Sequence, residues 1–287
     1  MSFQNVCKPC ASVGAILILG LVASPSAAQS TITLRAVRDN TIYQATTGNL
    51  SNGAGEYLFA GKTATGSIRR ALVKFDFTAI PANATITGVS LTLNVSRFAS
   101  GARDIACHRL LREFGEGTSN ATGQEGRGTT ARANDATWLH TFWNTQTWAT
   151  PGGDFVATPS TVSTFAGLGP IIFESEQLTA DVRGWHARPS NNTGWIFLGD
   201  ETIPTTAMRF DSREITGGAT APKLTVTYTL PPLCEPDFNA DTVLDFFDYL
   251  DFVNAYSSAS TAADFNGDTV IDFFDYLDFV TAFTTGC

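Results

Sequence analysis

A 20-residue segment occurs twice near the C-terminus. Residues 237–256 recur 27 residues later as residues 264–283, with 16 of the 20 positions identical. The four differences are Ala/Gly, Leu/Ile, Asn/Thr and Tyr/Phe, so what one copy does the other is expected to do. Charge sets this tail apart. Residues 234–287 hold Glu235, ten aspartates and no Lys or Arg, whereas the first 233 residues carry all 18 basic side chains against 16 acidic ones. The formal net charge of -9 therefore belongs to the tail. A surface of this sign repels phosphates, which excludes nucleic acid as its partner and points to a cation.

Within each copy the oxygen-bearing side chains fall at positions 1, 3, 5, 9 and 12 of a 12-residue loop. In the first copy these are Asp237, Asn239, Asp241, Asp245 and Asp248; in the second, Asp264, Asn266, Asp268, Asp272 and Asp275. Position 7, Val243 or Val270, offers its backbone carbonyl. This is EF-hand spacing, which wraps a chain around a hard cation wanting six to eight oxygens. Four carboxylates in one loop repel each other unless a divalent ion sits among them. Calcium suits a flexible oxygen cage better than magnesium, which demands tight octahedral geometry, so two calcium ions are expected. Two departures stand out. Position 12 is Asp, shorter than the usual Glu. Position 6 is Thr242 or Thr269, where the turn normally uses Gly at positive φ, and a β-branched residue there costs on the order of 1–3 kcal/mol. Either affinity falls or the turn rearranges.

After each loop the apolar spacing predicts a helix, with Phe246, Leu250, Val253 and Tyr256 forming one stripe and Phe273, Leu277, Val280 and Phe283 the other. Cys234 and Cys287 bracket the tail, and a bridge between them closes about 50 residues, worth roughly 4 kcal/mol by loop entropy. Two loop-helix units lacking entering helices resemble the dockerin family, of the type that ends in Gly-Cys, here Gly286-Cys287. The resemblance implies a small all-α calcium-binding anchoring module. Its partner is a cohesin-like protein or an element of the cell envelope. In cellulosomal dockerins, positions 10 and 11 meet the cohesin and are often Ser-Thr. Here they are Phe246-Phe247 and Phe273-Phe274, so either the partner surface is apolar or these rings pack the two halves together.

At the other end, Lys8 precedes an apolar run over residues 11–22, then Ser24-Pro25-Ser26-Ala27-Ala28. Small residues at Ser26 and Ala28 predict a signal peptide over 1–28, cut before Gln29. A retained anchor is the rival, but about 12 apolar residues are short for a span, and no later run is long enough either. The mature chain is therefore expected to be secreted or held at the cell surface, where disulfides persist. Cys7 and Cys10 leave with the leader, and Cys107 reads as a buried, inert thiol.

Between residues 29 and 230 the periodicity is two. Alternation from Val89 to Val95 and from Leu224 to Thr229 marks antiparallel strands with one buried face, and residues 70–77 and 195–198 read as further strands. Two such faces packed together make an antiparallel β-sandwich. One helix is predicted over 177–187, stopped by Pro189. Residues 115–136 form a long aperiodic loop leading to Trp138, Trp143 and Trp148, and loops of this length are functional or mobile. Trp138 reads as core; Trp143 and Trp148 are candidates for stacking on sugar rings. Pro231 to Leu233 is a short linker to the module at 234–287.

Several ordered blocks resemble the DNRLRE-domain family: Arg38-Asp39-Asn40-Thr41-Ile42-Tyr43, Arg70-Ala71-Leu72-Val73-Lys74-Phe75-Asp76-Phe77, residues 80–86, Arg209-Phe210-Asp211-Ser212-Arg213-Glu214, and residues 222–228. The resemblance covers nearly all of 30–230 and implies a secreted jelly-roll-like sandwich. Some members are carbohydrate-binding modules for acidic polysaccharides. Nothing resembles a catalytic motif: His108, His140 and His186 lie on separate predicted elements, and Glu113, Glu116, Glu125 and Asp154 read as surface carboxylates. Glu113 with Glu116 is an alternative structural calcium pair, and Arg69, Arg70, Lys74 and Arg213 are an alternative surface for an anionic glycan. The expectation is a non-catalytic glycan-binding sandwich tethered by a calcium-dependent module. The alternatives are a structural or adhesive spacer, or a polysaccharide lyase or glycosidase.

Overall fold

The computed structural model describes residues 29–99, 101–231 and 234–287. The expected leader at 1–28 and most of the linker at 231–233 lie outside the described residues. The chain divides into two compact units, a β-rich body and the tail beginning at Cys234.

The body is mainly β. Its strands are β1 (Gln29–Tyr43), β2 (Leu50–Ser51), β3 (Tyr57–Lys62), β4 (Ile68–Phe75), β5 (Thr85–Phe98), β6 (Arg103–Arg109) and β7 (Thr129–Thr130). There follow β8 (His140–Phe142), β9 (Gln146–Thr147), β10 (Thr161–Phe165), β11 (Gly169–Glu174), β12 (Trp195–Leu198), β13 (Met208–Asp211) and β14 (Lys223–Thr229). All four strands expected from the sequence form, within a few residues of their predicted ends. Where two separate sheets were expected, the pairing order β1-β14-β5-β13-β3-β4 returns to β1 and closes a six-stranded barrel. Closure comes from strands that change partners. The first half of β1 pairs with β14, and after a register shift between Ala36 and Arg38 its second half pairs with β4. β3 likewise pairs with β13 through Tyr57 to Ala60 and with β4 through Gly61 and Lys62. A closed ring leaves fewer open edges to be protected.

Alternation accounts for the interior. Ala71, Val73 and Phe75 of β4, with Leu91, Leu93 and Val95 of β5, join one large cluster that also holds Trp195 and Phe197. One helix, α1 (Glu176–Ala187), closes it with Leu178, Val182 and Trp185. The Ser175 hydroxyl caps this helix by accepting from the Leu178 N–H at 2.9 Å, and Pro189 lies just beyond its end. Leu72 and Ile196 point to the opposite face, where Leu110, Phe114, Trp138 and Trp148 cover them in a second cluster. That cover explains why residues 195–198 are apolar without alternation: β12 is buried on both faces.

The tail contains α2 (Phe246–Ser257) and α3 (Phe273–Thr285). Each starts with a reciprocal capping box, Asp245 with Asp248 and Asp272 with Asp275. The second half of each predicted stripe, Val253 with Tyr256 and Val280 with Phe283, packs against the tail core, and the first half is corrected here. Phe246 and Leu250 are exposed, as are Phe273 and Leu277, while the buried centre is Phe252 and Phe279. In a segment as apolar as Phe-Phe-Asp-Tyr-Leu-Asp-Phe-Val, spacing alone leaves several faces equivalent. The cap decides: Asp248 is buried against its loop, and Phe252, one turn on, shares that face. Phe252 and Phe279 stack in parallel at 3.9 Å, and the hydroxyls of Tyr249 and Tyr276 meet at 3.1 Å. Both pairs join residues 27 apart, so the two copies pack through equivalent positions. Cys234 and Cys287 are bridged, as expected.

Candidate functional site

Each tail loop curls inward through two residues at positive φ. In the first these are Ala240 (58°) and Thr242 (76°); in the second, Gly267 (75°) and Thr269 (72°). The turn is thus kept with threonine at position 6, not rearranged, and the strain is retained. Asp237 accepts from the N–H groups of Asp241 (3.1 Å) and Thr242 (2.9 Å), and Asp241 accepts from Val243 (2.9 Å). The second loop repeats this with Asp264 accepting from Thr269 and Asp268 from Val270. Asn239 and Asn266 accept from the N–H two residues on, at 2.9 Å in each loop. The Oδ1 of Asp264 is buried and has no hydrogen-bond donor.

At position 12, Asp248 and Asp275 are fully buried and already committed to backbone N–H groups. Asp248 accepts from Asn239 (3.2 Å) and Asp245 (2.8 Å), and Asp275 from Phe265, Asn266 and Asp272. Burial works against the Asp248 anion, but these donors outweigh it and hold its carboxyl below the usual range. The Asp272 N–H does the same for Asp275. The shorter side chain at position 12 therefore serves as a brace between loop and helix.

The four phenylalanines at positions 10 and 11 do not pack the halves together. Phe246, Phe247, Phe273 and Phe274 are 61–65% exposed, and Val243 and Val270 beside them are exposed too.

In the body, Trp148 is corrected. It is buried, and its indole N–H donates to the Thr137 carbonyl at 2.9 Å, so neither face is open to a sugar. Trp138 is core, as expected, whereas Trp143 is half-buried and lies edge-on to His140. The four basic residues are all engaged. Arg69 lies over Tyr43, Arg70 pairs with Glu201 at 2.8 Å beneath Trp138, Lys74 pairs with Glu113 at 2.8 Å, and Arg213 pairs with Glu116 at 3.0 Å and with Glu214 at 2.6 Å. A surface cleft of about 470 Å³ takes in one of them, with Arg38, Lys74, Asp76, Phe77, His186 and Asn192 in its lining. These residues come from three separated segments, so no local motif announced the cleft.

Among the described residues, one group of three acidic side chains brings its oxygens within 4.8 Å of one another: Asp39, Glu116 and Glu214. The tail aspartates do not gather this closely; they turn onto the N–H groups of their own loops. Of the predicted pair, Glu116 belongs to the cluster and Glu113 does not. Glu113 instead holds Arg38 and Lys74. Burial, then the charge of Glu214, pushes the Asp39 carboxyl well above its usual range. Glu214 is raised as well, by burial and by Glu116. The cluster joins two blocks far apart in sequence, Arg38-Asp39-Asn40 and Asp211-Ser212-Arg213-Glu214.

No family model matches the chain, and no curated protein matches it.

Proposed function

We propose that the chain is an exported, non-catalytic protein of two modules, in which calcium completes a dockerin-like anchor and the jelly-roll-like β-body engages extracellular polysaccharide. The anchor carries this reading. It rests on one observation above all: twice over, a loop of all-oxygen donors turns through the same two positive-φ positions into a helix capped by its own position 12. The unpartnered buried oxygen of Asp264 fits a cation in the second loop. Asp237, Asn239, Asp241, the Val243 carbonyl, Asp245 and Asp248 would hold the first ion, and Asp264, Asn266, Asp268, the Val270 carbonyl, Asp272 and Asp275 the second. Each ion would supply positive charge where the chain has only negative. The exposed Phe246, Phe247, Phe273 and Phe274 favour an apolar partner face over the polar one of an ordinary cohesin. The test is calorimetry of the full chain with calcium after chelation. Asp241→Ala combined with Asp268→Ala should remove two binding equivalents and the capture of any cohesin-like or envelope partner. Equal heats in wild type and the double variant would overturn the anchor.

For the body, Trp143 and the cleft near His186 are the surfaces offered to glycan. Burial of Trp148 favours a second reading, a structural or adhesive spacer. Retention of the full chain on a panel of acidic and neutral polysaccharides separates the two, and release of unsaturated or reducing ends would establish an enzyme instead.

A further inference from the structure

We propose that Asp39, Glu116 and Glu214 form a third calcium site, built into the barrel body and independent of the tail loops. Three elements deliver the side chains. Asp39 lies on β1, Glu116 on the segment after β6, and Glu214 just past the end of β13. The buried Asn40 fixes the second of these: its Nδ2 donates to the Glu116 carbonyl at 2.8 Å and its Oδ1 accepts from Ser51 and Asn52. Gly53 permits this closeness, since a Cβ there would stand 1.6 Å from the Glu116 carbonyl oxygen. Ser212 fixes the third element by donating to the Gly55 carbonyl at 2.7 Å. The oxygens are thus set by backbone anchors rather than by long free side chains, as a metal site requires.

Charge and hydrogen bonding both leave room for a cation. Arg213 is the local counter-charge; its guanidinium takes one oxygen of Glu116 and one of Glu214, and its backbone N–H donates to Asp39 Oδ2 at 2.7 Å. One guanidinium against three carboxylates leaves two negative charges. Each carboxylate also keeps an oxygen away from the guanidinium: Asp39 Oδ1, Glu116 Oε1 and Glu214 Oε2. Glu116 Oε1 accepts from the Asp39 N–H at 2.9 Å and Glu214 Oε2 is 3.3 Å from the Ser212 hydroxyl. Asp39 Oδ1 has no donor at all, although Asp39 is only 1% exposed. A buried anionic oxygen without a partner is costly, and a metal ion removes that cost. All donors are hard oxygens, and oxygens on opposite sides of a calcium ion, each about 2.3–2.6 Å away, stand about 5 Å apart. The 4.8 Å span therefore fits a single calcium ion touching all three.

The experiment counts calcium per full-length chain by equilibrium dialysis and atomic emission at saturating free calcium. The Asp241→Ala/Asp268→Ala chain isolates the body site and should retain one ion; adding Glu214→Gln or Asp39→Asn should remove it. All five tryptophans lie in the body, so fluorescence excited at tryptophan reports the body alone. In the tail-disabled chain calcium should raise the tryptophan-monitored Tm by on the order of 5 °C. The variant lacking Glu214 should show no such rise. Should Glu214→Gln fail to fold, the tail-disabled chain still decides. No bound ion and no calcium-dependent shift in it would overturn the site, leaving the cluster to hold protons. Failure of the tail reading shows separately, as an unchanged ion count between wild type and the tail-disabled chain.

Discussion

The body and the tail solve the same problem by opposite means. The body encloses its apolar side chains in a ring of paired strands, and its large cluster alone contains Phe75, Phe173, Trp185, Trp195, Phe197 and Phe210 in full or near-full burial. In the tail only Phe252, Ala263 and Phe279 reach that state, ringed by half-buried aromatics. A unit of this size cannot bury enough surface to hold itself, and usually needs a covalent link, a metal or both. The disulfide and the twin acidic loops sit where the body relies chiefly on packing. Stability in the body is mainly a matter of volume; in the tail it is a matter of charge and connectivity.

The sharpest way to break this contrast is to remove from each unit what holds it and to watch the other. Trp195→Ala should destabilise the body by about 3–5 kcal/mol, seen as a lower midpoint in tryptophan-monitored denaturation, while the helical circular dichroism of the tail persists. Cys287→Ser should cost the tail roughly 4 kcal/mol and leave the body midpoint unmoved. Loss of the body transition in that variant would show that the two units are not separate. Replacing both Thr242 and Thr269 with Gly should relieve about 1 kcal/mol per loop, and calorimetry should then record tighter calcium binding at the tail sites. Unchanged affinity would mean that the loops absorb the positive φ without strain. The smallest effect on folding belongs to the exposed rings. Phe247→Ala with Phe274→Ala should shift stability by less than about 0.5 kcal/mol, yet abolish capture of the partner proposed for the tail.

How much of this was legible in the sequence follows the same division. In the tail, duplication doubled every signal, so the helices and the disulfide could be placed from spacing and cysteine position. What spacing could not give was the buried face of α2 and α3, because nearly every side of those helices is apolar. Only the side-chain cap at Asp248 and Asp275 selects it. In the body, period-two alternation at 89–95 and 224–229 located two strands, but barrel closure depends on β1 and β3 changing partners partway along. That change is written in a register shift at Ala36 to Arg38, which leaves no compositional trace. Trp148 misled for a related reason. An aromatic after a long polar loop looks like a platform until the loop is seen to fold back as the lid of a second core over Leu72 and Ile196. The acidic cluster was half visible: Glu116 stood out, while its partners lay in two blocks separated by more than 170 residues.

One buried atom also bears on how the finished chain acquires its covalent form. Of the three cysteines among the described residues, Cys107 is wholly enclosed in the large core cluster of the body, and burial followed by the charge of Asp181 pushes its thiol well above the ordinary range. Exchange needs an accessible thiolate, so this sulfur is withdrawn from the reaction once β6 is in place. Among these three, the pairing of Cys234 with Cys287 is then settled by elimination once the body has formed.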